Sequence, residues 1–147
     1  MAGNSRVRAD AKLCRDCQAC VLGCSLYHDN KCSTGLARLT VEKDMARFEF
    51  TINICRHCRK PKCMSDCPAD AMYIDNRGVV IIVDEKCTRC GACQTNCPFD
   101  SIFYNKEEDR YLKCDLCAGR EEGPLCVELC SPAALKFVET KTVKAEE

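Results

Sequence analysis

The chain has 147 residues, 22 basic against 22 acidic, and 17 of them are Cys. So many cysteines in a short chain mean a disulfide or a metal scaffold, and the absence of a basic stripe interleaved with aromatics excludes a nucleic-acid surface. The longest apolar run, Val79–Val83, falls far short of a membrane span.

Met1 to Asp10 are polar and charged, with neither an apolar signal core nor a twin-Arg pair. The expected location is cytoplasmic, where thiols stay reduced and clustered Cys read as metal ligands. A short helix is expected over Cys17–Leu26. Next, Ala37, Leu39 and Val41 alternate with polar residues, as do Phe48, Phe50, Ile52 and Ile54. Period two predicts two half-buried strands, joined by a turn at Lys43–Ala46. A second short helix falls at Lys62–Asp66. Met72–Asp75, Asn76-Arg77-Gly78 and Val79–Val83 read as strand, turn, strand, with Gly78 free to take positive φ. A third short helix falls at Gly91–Asn96. Ile102–Tyr104 and Arg110–Leu112 flank the polar turn Asn105–Asp109, and a charged tail closes the chain at 139–147.

One unit recurs: a Cys-rich loop, then Cys-Pro, then a short apolar strand. It begins at Cys67-Pro68, at Cys97-Pro98 and, more loosely, at Cys130-Ser131-Pro132. Asp70 and Asp100 stand at equivalent places after Cys-Pro, which predicts a turn or cap role. Tyr73, Tyr104 and Tyr111 are expected to pack in the core. The core is thin, so folding is expected to be coupled to cofactor insertion.

Sixteen Cys form four groups: Cys14-x2-Cys17-x2-Cys20-x3-Cys24, Cys55-x2-Cys58-x4-Cys63-x3-Cys67, Cys87-x2-Cys90-x2-Cys93-x3-Cys97 and Cys114-x2-Cys117-x8-Cys126-x3-Cys130. A cubane needs one thiolate at each of four iron corners. Three closely spaced Cys wrap three corners, and the fourth, three residues later, points away to a second cluster. Such motifs come in reciprocal pairs, so four motifs imply four [4Fe–4S] clusters. Zinc predicts closed four-ligand sites built from well-separated C-x2-C pairs, and explains neither the tight third and fourth Cys nor the trailing Pro. Cys32 has no motif and reads as a spare small hydrophobe. His57 lies between two ligands and either donates a hydrogen bond to cluster sulfur or faces solvent. Arg15, Arg56, Arg59, Lys60, Lys62, Lys86, Arg89 and Lys113 sit beside ligands, where they either offset cluster charge or belong to an ordinary solvated surface. No phosphate loop, nucleophile elbow or histidine–carboxylate set suggests a substrate site.

From Cys14 to about Val138 the chain resembles the four-cluster ferredoxin-type subunits of molybdenum and tungsten enzymes, such as dimethyl sulfoxide reductase and formate dehydrogenase. It is a compact form, closer to the small subunits of tungsten aldehyde or benzoyl-CoA oxidoreductases. Motif order, the x4 gap and the wide fourth gap carry the likeness; the first motif departs, having Ser25-Leu26-Tyr27-His28 instead of Pro. The resemblance implies that motif one pairs with four and two with three. One cluster would take Cys14, Cys17, Cys20 and Cys130, and a second Cys114, Cys117, Cys126 and Cys24. A third would take Cys55, Cys58, Cys63 and Cys97, and the last Cys87, Cys90, Cys93 and Cys67. The implied fold is α+β, a single unit over residues 1–138. It would have two ferredoxin-like halves (about 10–35 with 112–138, and about 55–111), a β extension at 36–54, short antiparallel hairpins and one-turn helices around four cubanes. The implied role is a non-catalytic electron relay between a catalytic Mo/W-pterin subunit and a second carrier or flavin subunit. A free polyferredoxin shuttle and a zinc-loaded structural protein are the competing readings.

Overall fold

A computed structural model describes residues 5–139. The fold is α+β, built from short antiparallel ribbons and few helices. β1 (Arg6–Ala9) pairs with β8 (Leu135–Val138), β2 (Leu39–Asp44) with β3 (Glu49–Ile54), β4 (Met72–Ile74) with β5 (Val80–Ile82), and β6 (Ile102–Asn105) with β7 (Arg110–Lys113). The helices are α1 (Ala19–Asp29), α2 (Lys62–Ser65), α3 (Ala92–Asn96) and α4 (Leu125–Leu129). No helix among the described residues is long and apolar enough to cross a membrane.

Each hairpin is closed by side chains reading the backbone of its own turn. Asp75 accepts the Arg77 and Val79 amides at 2.8 and 2.9 Å, and Gly78 takes φ 76°. Asn105 accepts the Glu108 amide at 2.9 Å. Asp44 accepts the Ala46 and Arg47 amides at 3.0 and 3.2 Å. That last cap corrects the expected turn. β2 runs through Asp44, and Phe48 leaves the strand in the left-handed region, 82% exposed.

α1 is a second correction. It spans 11 residues and ends three positions beyond the expected Cys17–Leu26, about three turns where the resemblance implied one-turn helices. With no Pro after Cys24, nothing stops it until Asn30 takes φ 54° and donates its amide to the Leu26 carbonyl. The other helices follow Cys-Pro logic and end within five residues. The tyrosines are a third: Tyr73 and Tyr104 are exposed and only Tyr111 is half-buried. α4 and β1 have no counterpart among the expected elements, whereas β8 is the short apolar strand expected after Cys130-Ser131-Pro132.

Two apolar clusters form the interior. The larger joins Val7, Val21, Leu39, Ile54, Leu116 and Leu135 with Cys20, Cys24, Cys114 and Cys126. The smaller gathers Met72, Val80, Ile102 and Cys93, with Cys63 and Cys97 against it. α1 packs on α4. The approach is so close that a Cβ on Gly23 would lie 2.3 Å from Leu129 Cδ1. Of the charged tail expected at 139–147, only Glu139 is within the described residues.

Candidate iron–sulfur sites

The four Cys loops share a backbone device. Two residues after the first Cys of each motif stands a non-glycine residue in the left-handed region: Asp16 (φ 54°), His57 (φ 47°), Arg89 (φ 62°) and Leu116 (φ 57°). The conformation costs about 1 kcal/mol or more at each. It turns the amide back on the preceding thiol: Asp16 N–H reaches Cys14 Sγ at 3.5 Å, and those of His57 and Leu116 reach Cys55 and Cys114 Sγ at 3.4 Å. A second set of left-handed residues, Asp70, Asp100 and Ala133, follows the last Cys of motifs two to four by three positions. There the chain reverses from helix to strand, which is the turn role expected of the two aspartates.

The loops enclose voids lined by thiols from two motifs. One holds Cys14, Cys17 and Cys20 opposite Cys130, with about 340 Å³ of space, open mouth included. Another holds Cys55, Cys58 and Cys63 opposite Cys97, with about 370 Å³. Arg56 stacks on Phe99 at 4.0 Å and so ties motif two to motif three at its rim. Cys24 lies within electrostatic reach of Cys117 and Cys126, and Cys126 of Cys114. Cys93 likewise feels Cys87 and Cys90, together with Cys63. Cys67 is half-buried and accepts the Ala71 amide at 3.4 Å, just after α2, which packs on α3. No three such side chains among the described residues converge on the point of a single metal ion.

Burial dominates the chemistry of these thiols. It pushes Cys20 and Cys93 up to about 11 and Cys126 to about 12, and neighbouring thiolates add to the rise while amide donors oppose it. Cys114, fully enclosed, is pushed well above its ordinary value for the same reason. Four thiolates around one void repel one another and lack water, so such a set calls for a cationic metal core bound among them. The donor set and the voids fit [4Fe–4S] clusters.

The histidines take positions that spacing did not reveal. His57 is 1% exposed, which overturns its solvent-facing reading. Its Nδ1 accepts the Val80 amide at 3.2 Å, and burial, helped by the nearby Lys113, lowers its pKa to about 3, so it stays neutral. His28 donates from Nδ1 to the Cys24 carbonyl at 2.9 Å and from Nε2 to Asp115 at 2.8 Å. Burial works against its charge, yet the Asp115 bond and the Cys24 contacts raise it to about 10. It therefore ties motif one to motif four as a cation. Cys32 is exposed, not a buried hydrophobe. Asp29, which no motif flagged, accepts Arg38 and Arg110 and joins α1, the approach to β2, and β7.

Residues 46–140 match the 4Fe-4S dicluster domain family. The chain belongs to that family of iron–sulfur electron-transfer proteins. It is 32% identical over 140 residues to the thiosulfate reductase electron transfer subunit PhsB of Salmonella typhi, covering 87% of this chain and 72% of that one. It is 31% identical over 160 residues to the formate dehydrogenase iron-sulfur subunit of Haemophilus influenzae, covering 92% of this chain and 51% of the relative, whose length it half spans. The active site complex BamBC of benzoyl coenzyme A reductase, as isolated, contains a similar fold (TM-score 0.59, 26% identity, 97% of this chain and 81% of that one).

Proposed function

We propose that this chain is the electron-relay subunit of a larger oxidoreductase and carries four [4Fe–4S] clusters in two interleaved halves. The observation that carries the reading is the crossed thiol pattern: three Cys of one motif and the last Cys of its mate line a single void, in the 14/17/20/130 and 55/58/63/97 sets alike. The same rule assigns Cys114, Cys117, Cys126 and Cys24 to a third cluster, and Cys87, Cys90, Cys93 and Cys67 to the fourth. Bound clusters of this kind exchange one electron at a time at potentials set by their surroundings.

The protein's own residues position and tune. Amides held in the left-handed region direct N–H donors at thiolate sulfur. Apolar side chains of the two interior clusters exclude water. Cys17 and Cys90 are exposed, each within a different motif pair, whereas Cys114, Cys117 and Cys126 are buried. The first and last centres of the relay accordingly meet the partners. The catalytic partner is a molybdenum- or tungsten-pterin oxidoreductase, of the kind represented by benzoyl-CoA or formate enzymes, with a second carrier or flavin subunit at the other end. Similarity to PhsB, to the formate dehydrogenase subunit and to BamBC supports it.

Purification under nitrogen from the native host, followed by iron and sulfide assay, tests both parts. The expected result is a brown complex with a larger catalytic chain and about sixteen iron and sixteen sulfide per copy of this chain. A fully loaded single chain eluting alone would replace the subunit reading by a free shuttle, and a colourless zinc protein would end the cluster reading.

A further inference from the structure

Lys113, the last residue of β7, is 8% exposed, and no carboxylate among the described residues lies within ion-pair distance of its Nζ. Its ammonium donates to the Val80 carbonyl at 2.5 Å and to the Cys114 carbonyl at 3.3 Å, and stands 3.4 Å from His57 Nδ1. His57 offers no negative charge. A buried cation held only by neutral acceptors costs several kcal/mol unless an anion faces it. The group that faces it is the void of Cys55, Cys58, Cys63 and Cys97, which Lys113 helps to line. Its charge also draws the Cys63 thiol down against the burial that raises it. The other basic residues beside these ligands, Arg56, Arg59, Lys60 and Lys62, are exposed and screened by water.

We propose that Lys113 is the counter-cation of the cluster bound by Cys55, Cys58, Cys63 and Cys97, and that it holds this centre at a higher reduction potential than the same cage would have without it. This rests on the cluster assignment above. The cage gains one negative charge on reduction, and a fixed ammonium in a poorly solvated wall stabilises the reduced form more than the oxidised one. Lys113 is thus a tuning residue that acts on one centre of the relay. The carbonyls of Val80 and Cys114 fix its position, so the effect follows from the fold.

The test is an EPR-monitored redox titration of the anaerobic, full-length, cluster-loaded chain, with iron and sulfide counted for every variant. Cys58→Ser marks the signal of this cluster in the wild type. The expected result for Lys113→Met is a shift of the marked signal to more negative potential with the other midpoints unmoved, and for Lys113→Arg a midpoint near that of the wild type. Unchanged midpoints in a fully loaded Lys113→Met protein, or an equal shift of every centre, would overturn the proposal. Where Lys113→Met loses the marked cluster, its retention by Lys113→Arg supports a role for the charge; its loss in both variants means that shape alone decides, and overturns it. Cys58→Ser leaving iron, sulfide and every signal unchanged would overturn the cluster assignment itself, a separate failure visible before any Lys113 variant is made.

Discussion

Replacing Asp29 by Asn keeps the size of the side chain and removes the charge that holds Arg38 and Arg110. In the folded chain Asp29 and Arg38 are each 9% exposed at the side chain, and Arg110 is 23% exposed. Removing one partner of a buried pair leaves the other charge uncompensated, at a cost of about 3–5 kcal/mol. The low end applies, because Arg38 keeps its bond to the Leu36 carbonyl at 2.6 Å and Arg110 keeps Glu108 at 2.7 Å. A loss of about 3 kcal/mol is roughly a 150-fold change in the folded ratio, and lowers the melting midpoint by about 6–12 °C for a chain of this length. The assay is circular dichroism of the cluster-loaded protein under nitrogen, both proteins at one scan rate, since cofactor-bearing proteins depart from two-state behaviour. The pH dependence has a definite sign. Burial raises the Asp29 carboxyl, but the two guanidiniums outweigh it and hold the group below its ordinary value. Its stabilisation is therefore complete above the unfolded carboxylate range near pH 4 and fades as pH falls through the lower folded value. The gap between wild type and Asp29→Asn should be full at pH 7 and narrow below about pH 4. A midpoint at pH 7 within about 1–2 °C of wild type would refute the reasoning.

Four further outcomes are expected. Gly23→Val should drive α1 from α4 by crowding Leu129; since α1 carries Cys20 and Cys24 and α4 carries Cys126, iron content should fall along with thermal stability. Asp100→Val forces a β-branched residue into φ 47° and should cost about 1–2 kcal/mol in denaturant titration, whereas Asp100→Gly should cost nothing. Cys32→Ser should leave iron and sulfide counts unchanged and abolish only a fast-alkylating thiol, as mass spectrometry of the loaded protein will show. Extracting iron with a chelator should collapse the far-ultraviolet circular dichroism signal, because the buried thiols then have no cation to organise them; a retained spectrum would refute coupled folding.

The sequence alone determined the chemistry. Metal-ligand spacing is local: three Cys within a few residues and a fourth three positions on mark an iron–sulfur motif whatever the rest of the chain does. The hairpins were legible for the same reason, since Asp75-Asn76-Arg77-Gly78 and Asn105–Asp109 carry their own caps. Where local signals were weak, boundaries moved. Phe48 reads as a strand residue by alternation, yet Asp44 captures two amides and ends the turn later. α1 ended three residues later than expected because a missing Pro is a weaker signal than a present one. Only the tertiary structure decided how the loops meet. Nothing in Arg6–Ala9 announces Leu135–Val138, more than 120 positions away, and no pattern links Asp29 to Arg110 or His28 to Asp115. The left-handed residues Asp16, His57, Arg89 and Leu116 are not glycines, so their backbone is set by the Cys loops they belong to rather than by their own preference. Lys113 looked like any basic residue beside a ligand until β7 and β5 buried it against a thiol-lined void. Burial and charge environment arise from distant segments brought together, and they are what distinguishes one centre of the relay from another.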